Sequence, residues 1–141
     1  MSKQTILALD PGKSTGFIVC SVEDNLDSLF ILAHGVLNHW RGVEELIDNH
    51  KPDVIVAEQY RLYPRMASVQ AFSTVVAARV LGAIEYIAEK RGIPLFEQPA
   101  VQGKIFVPEN VYTRLDKHTT PHEKDALRHA VSYCLRHGVN E

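Results

Sequence analysis

TILALDPGKSTGFIVCSV, residues 5–22, carries the reading on which the rest depends. Thr5 to Leu9 are apolar on both faces, the pattern of a strand buried in a sheet with covered sides. Asp10-Pro11-Gly12 then forces a turn, and Thr15 to Val22 resumes a strand, so the stretch is a β-hairpin built into a core. Asp10 falls where the first apolar run ends.

Working outward, a polar turn from Glu23 to Asp27 leads to a third apolar run, Leu29 to Leu37, and Trp40 to His50 has amphipathic helical spacing. Lys51-Pro52-Asp53 breaks that helix, and Val54-Ile55-Val56-Ala57 is a short buried strand that stops at Glu58. The stretch from about Ala67 to Arg91 lacks proline and reads as one long helix ended by Gly92. Ile93 to Glu97 is a last short strand. An irregular, partly basic segment runs to about Thr119, and a final helix spans Pro121 to His137. The order βββαβαβα fits an α/β fold of the ribonuclease-H-like kind, a mixed five-stranded sheet flanked by helices, better than a doubly wound βαβ series. With no internal repeat and no linker composition, one domain over 1–141 is expected.

Composition bounds the function. Hydrophobic residues at 45% and charged residues at 23% of 141 are the balance of a soluble globular chain with a sizeable core. The opening MSKQTILALD has no apolar run long enough for a signal peptide or a membrane span, so a cytoplasmic protein with no membrane partner is expected. Cys20 and Cys134 stand outside any CxxC pair, which argues against a zinc ribbon or disulfide framework and for buried thiols. A net charge of -2 gives no overall positive field, so nucleic-acid binding requires a local basic patch.

Asp10 and Glu58 each end an apolar strand run. If those strands are parallel neighbours, the carboxylates lie roughly 5 Å apart at one sheet edge, a spacing that suits shared metal ions. Asp before Pro-Gly is also a common turn residue, and a Glu at a strand end can simply be solvated. At the final helix, Thr120-Pro121-His122-Glu123 has the capping-box pattern, which gives Glu123 a structural task. His122 and Asp125, three residues apart, share one face and can converge on an ion. The positive helix N-terminus favours an uncharged imidazole at His122, able to ligate. His129 flanks the apolar stripe of Leu127, Ala130, Val131 and Cys134; it is either a support for the ligands or, the better reading, a histidine covering the core edge. Three carboxylates and a histidine match the oxygen-rich ligation of hard divalent cations such as Mg²⁺.

The segments ILALDPGKSTGF, VIVAEQ and HEKDALRHA resemble the three metal-binding motifs of RuvC-type Holliday junction resolvases, in the same order and over nearly the whole chain. The resemblance implies that Asp10, Glu58, His122 and Asp125 are the metal ligands and catalytic groups. It further implies that two Mg²⁺ ions, replaceable by Mn²⁺, serve an endonuclease that resolves four-way junctions or other branched DNA by paired nicks leaving 5′ phosphates. His122 matches family members with His in place of the usual Asp. Two departures stand out. The family's aromatic wedge after the strand-end Glu is replaced by Arg61, with Tyr60, Leu62 and Tyr63 as the nearest substitutes. The Lys- and Gly-rich stretch before the last helix is not matched in register, although Lys104 and Lys117 fall in that region. Arg61, Arg65, Lys104, Arg114 and Lys117 are the expected phosphate contacts, since neutralising backbone charge dominates nucleic-acid affinity.

DPGKSTG also resembles the phosphate-binding hairpin of actin-like ATPases, but those close two domains around a nucleotide and 141 residues supply one. A fork, flap or structured-RNA nuclease of the same fold is the nearer alternative; a non-catalytic scaffold would lack ligands that are present here. The long helix adds a last expectation. Val69, Phe72, Val76, Val80, Ala83 and Ile87 form a stripe for the core, while Ala71, Val75, Ala78 and Gly82 form a second stripe of small residues roughly 130° away at about 100° per residue. Small residues let helix backbones approach closely, so a homodimer built on that stripe is expected, unless a loop around Gly103 to Asp116 covers it.

Overall fold

The computed structural model describes residues 3–59, 67–100, 107, 109–112, 114–115 and 119–138. Strands β1 (Gln4–Asp10), β2 (Thr15–Val22), β3 (Phe30–Leu37), β4 (Val54–Glu58) and β5 (Leu95–Gln98) form one sheet in the order β3-β2-β1-β4-β5. The hairpin β1–β2 and the pair β2–β3 are antiparallel, whereas β1–β4 and β4–β5 are parallel. This is the mixed ribonuclease-H-like sheet expected from the sequence. The parallel strands β4 and β5 therefore end at the same sheet edge as Asp10. A reciprocal pair of bonds pins that register: Asp53 N donates to Thr5 O at 2.8 Å, and Asp53 Oδ2 accepts from Thr5 N at 2.8 Å.

Side-chain alternation divides the strands between two cores. Ile6, Ala8, Ile18, Cys20, Val54 and Val56 face α4 (Pro121–Arg136), while Leu7, Leu9, Val19, Ile55 and Ala57 face α1 (Gly42–His50) and α2 (Ala67–Arg91). Cys20 and Cys134 are buried free thiols in the first core, and burial pushes both thiols up, Cys134 to about 12, which makes them inert apolar filler.

The boundaries of β2 and α2 coincide with the sequence reading. Other elements shift for local reasons. The first helix begins at Gly42, because residues 39–41 form a tight turn in which Gly42 N donates to His39 O at 3.2 Å. Pro94 offers a carbonyl to Ile55 N at 2.9 Å but no N–H, so β5 starts at Leu95 rather than Ile93. The polar turn after β2 contains a 3₁₀ turn, Leu26–Ser28, and the irregular segment contains a short helix, α3 (Glu109–Tyr112).

The core face of α2 is also rotated from the expected one. Ala77, Val80, Leu81, Ile84, Ile87 and Ala88 are buried, whereas Val76 and Ala83 are half-buried; the side chains of Val69 and Phe72 lie outside the described residues. Two adjacent rows of this helix are apolar, so periodicity alone does not decide which sits over the sheet. The second stripe is exposed where it is described: Val75 is 56% accessible, Ala78 is exposed, and no described atom lies within 4 Å of where a Gly82 side chain would begin. The Ala71 side chain lies outside the described residues.

Candidate active site

Asp10 and Glu58 end adjacent parallel strands; Leu9 pairs with Ala57, so the two carboxylates stand side by side one residue further on. Both point to the α4 face, in phase with Ile6 and Ala8 on one strand and Val54 and Val56 on the other. The start of α4 descends on them. Thr120 Oγ1 accepts from Glu123 N at 3.3 Å and Glu123 Oε2 accepts from Thr120 N at 2.7 Å, the capping box expected from the sequence. Glu123 Oε1 meets His34 Nδ1 at 2.7 Å, which ties the same turn to β3. Burial pushes the Glu123 carboxyl up, but His34 and the Thr120 amide outweigh it and hold the group below its ordinary value.

Gly16 makes this docking possible. A side chain there would overlap the His122 carbonyl and lie 2.7 Å from Glu123 N, so only glycine lets β2 and the first turn of α4 touch.

The docked turn brings His122 Nδ1 to 3.0 Å from Asp10 Oδ2; Asp10 is almost covered at 10% side-chain exposure, His122 open to solvent at 54%. Asp10 is pushed up to about 9, chiefly by burial, then by the shared hydrogen bond with Glu58 and the negative charges of Glu58 and Asp125. Burial pushes Glu58 up as well, but His129 and the bond from Asp10 prevail and hold it below its ordinary value. The two carboxylates thus titrate as a pair, Asp10 held above and Glu58 below its ordinary value. Asp125 lies near enough for its charge to act on Asp10, yet its carboxylate pairs with Arg128.

The other three predicted ligands therefore lie around Asp10. Among the described residues no three of the four are drawn close enough to hold a metal ion as they stand, and Asp125 is turned to Arg128. The donor set fits a hard dication nonetheless: a buried carboxylate beside a half-buried one, with a third carboxylate near, is a place where positive charge is deficient.

The predicted DNA contacts divide. Arg61, Arg65, Lys104 and Lys117 lie outside the described residues. Arg114 donates to the carbonyls of Leu26, Asp27 and Leu29, which gives its guanidinium a structural task in closing the 3₁₀ turn. His129, for which the sequence offered a supporting and a core-edge reading, is an interior group, 1% exposed, whose Nε2 stands 3.7 Å from Glu58 Oε1. One feature went unread in the sequence. On the other side of the Asp10 turn, Gly12, Lys13, His39, Trp40, Arg79 and Val80 line a pocket with three basic side chains and a partly exposed tryptophan. A lone exposed Trp between His and Arg was the available signal.

Comparison with known proteins places the fold and the family. No family model matches the chain. A curated relative, the crossover junction endodeoxyribonuclease RuvC of Protochlamydia amoebophila, is 36% identical over 76% of this chain and 68% of its own. Among solved structures, RuvC of T. thermophilus in complex with a Holliday junction superposes with a TM-score of 0.72 at 19% identity, covering 95% of this chain and 94% of that one. The Fowlpox virus resolvase in complex with Holliday junction DNA gives 0.62 at 13% identity, over 93% and 99%. The structural likenesses carry the fold, and the sequence relative carries the family: the chain belongs to the RuvC family of crossover junction endodeoxyribonucleases.

Proposed function

We propose that the chain, as one domain, resolves four-way DNA junctions by paired nicks that leave 5′ phosphates, with Asp10, Glu58, His122 and Asp125 as its divalent-metal ligands. The observation that carries this is the placement of Glu58, His122 and Asp125 around a buried Asp10 at the ends of β1 and β4 and the start of α4. Family membership brings dependence on divalent cations; two Mg²⁺ ions, with Mn²⁺ as substitute, suit three carboxylates and one imidazole. Bound cations supply an acidified water and charge neutralisation at the scissile phosphate and the departing 3′ oxygen.

The chain's own residues prepare that chemistry. Glu58 offers an ionised carboxylate from a fixed strand end, and Asp10 contributes its second once its proton leaves. Asp125 exchanges Arg128 for the site by a side-chain rotation, and open His122 closes the solvent side. Arg61, Arg65, Lys104 and Lys117, with Lys13 and Arg79 of the second pocket, contact backbone phosphates; Arg114 does so only at the cost of the carbonyls it now holds.

A cytoplasmic homodimer completes the reading. The exposed Val75, Ala78 and Gly82 let two copies of α2 pack closely about a two-fold axis, setting two sites against the two strands to be cut. No described helix is long and apolar enough to cross a membrane.

The deciding experiment is cleavage of labelled four-way junction, fork, flap, duplex and RNA substrates side by side in Mg²⁺ and Mn²⁺. Paired, symmetric cuts in the junction with 5′-phosphate ends are expected. Equal or faster cutting of forks, flaps or RNA would replace the junction reading.

A further inference from the structure

Gln98 is a buried amide, 5% exposed, at the end of β5, and no step of the proposed chemistry uses it. Its position is set by the sheet. Glu58 and Gln98 are register partners in the parallel β4–β5 ladder, and Gln59 N donates to Gln98 O at 2.6 Å just beyond. Asp10, Glu58 and Gln98 thus form one row across three neighbouring strand ends. Opposite them, His122, Asp125 and His129 recur at three- and four-residue steps along α4, so one helix face meets the row.

Gln98 Nε2 has two hydrogens and two acceptors on His129. It donates to the His129 carbonyl at 2.9 Å, which fixes which end of the amide is nitrogen, and it lies 3.4 Å from Nδ1 of the same ring. A neutral imidazole that accepts at Nδ1 carries its hydrogen on Nε2. That nitrogen is the one 3.7 Å from Glu58 Oε1.

We infer that Gln98 is a positioning residue of the nuclease: by donating from Nε2 to His129 Nδ1, it holds the ring in the Nε2–H tautomer, whose N–H then faces the Glu58 carboxylate beside Asp10. The Gln98 to His129 contact lies in the interior, shielded from solvent, and leads to the half-buried Glu58. It has the form of the outer supports that fix metal-ligating groups, with His129 and Gln98 acting on a carboxylate from behind. This inference rests on the reading of Glu58 as a metal ligand.

The test uses the full chain with ¹⁵N-labelled histidine and two variants. Gln98→Leu removes the donor at similar volume, and Gln98→Glu replaces it with an acceptor that favours a hydrogen on Nδ1. In the metal-free wild type, the His129 ring nitrogens should report the Nε2–H tautomer, a measurement that needs no variant to fold. Gln98→Glu should invert the tautomer, and both variants should weaken Mg²⁺ binding by calorimetry about 10- to 100-fold. Junction affinity in Ca²⁺ should stay within about twofold, and single-turnover rates should recover in part at high Mg²⁺. A wild-type ring with its hydrogen on Nδ1 overturns the proposal. So does unchanged Mg²⁺ affinity in both Gln98 variants while Glu58→Gln loses it, an outcome that leaves the metal site intact. Unchanged affinity in Glu58→Gln overturns the metal reading and this inference together.

Discussion

Helices α4 and α2 lie on opposite faces of the same sheet and differ in how they are held. α4 is fixed by polar devices at its first turn: a capping box, the Glu123–His34 contact and a glycine on β2 that allows backbone contact. Nine of its residues are buried, so it has little freedom to slide. α2 is longer but buries one face, and leaves Val75, Ala78, Gly82 and Tyr86 exposed. On the proposed function the contrast separates two duties. Metal ligands need positions fixed to within a fraction of an ångström, and the anchored α4 suits that role. A surface meant for a second chain must stay open until the partner arrives, and the exposed row of α2 suits that one.

Breaking the α4 side has the larger consequences. Asp10→Asn, Glu58→Gln and Asp125→Asn should each lower junction cleavage on the order of 10³-fold or more in single-turnover assays while the protein remains folded. Asp10→Asn should in addition raise the melting temperature of the metal-free protein, because it removes a buried acid from a site of negative charge. Near-normal turnover in any one variant would take that residue out of the site.

The next effect is on pH. The Asp10 carboxyl is about 9 in the folded metal-free chain against 3.8 for the free group, so between these values the folded state binds more protons than the unfolded one. The group's contribution to stability is therefore complete below about pH 4 and is lost as pH rises towards 9. Metal must displace that proton, so Mg²⁺ affinity should climb about tenfold per pH unit across the same window and level off above it. Calorimetry from pH 6 to 10 measures the slope, and Asp10→Asn should flatten it.

Gly16→Ala should cost about 1–3 kcal/mol in urea unfolding by forcing β2 and the first turn of α4 apart, and should weaken metal binding with it. Thr120→Ala, which removes one capping bond and leaves the contact in place, should cost about 1 kcal/mol. The smallest change in stability belongs to α2: Ala78→Arg on an exposed face should shift unfolding by no more than about 0.5 kcal/mol. Sedimentation should nonetheless turn a dimer into a monomer that nicks one strand slowly. A wild type that sediments as a monomer with and without DNA would reverse the contrast between the helices.

What could be read from the sequence was what local signals encode. The strand run of Thr15–Val22 after the Asp10-Pro11-Gly12 turn, the uninterrupted run of α2 and the Thr120–Glu123 spacing each set an element within a few residues of itself. Asp10 and Glu58 were recognisable because each closes an apolar run, and two such ends on parallel neighbours must meet. The contacts that escaped join distant parts of the chain with no motif at either end. Gln98 meets His129 through strand register, His34 meets Glu123 across the sheet, and Arg114 reaches the carbonyls around Asp27. The face of α2 escaped for another reason, since two adjacent apolar rows leave its rotation to packing alone.

The placement of the site across the chain also governs when a newly made molecule can become active. Asp10 and Glu58 are made well before the helix that carries His122, Asp125 and His129. At about 5–20 residues per second, Asp10 waits roughly 6 to 23 s before the ribosome has joined Asp125. Until then the proposed ligand set is incomplete, so a copy whose synthesis stops before α4 should be unable to cut.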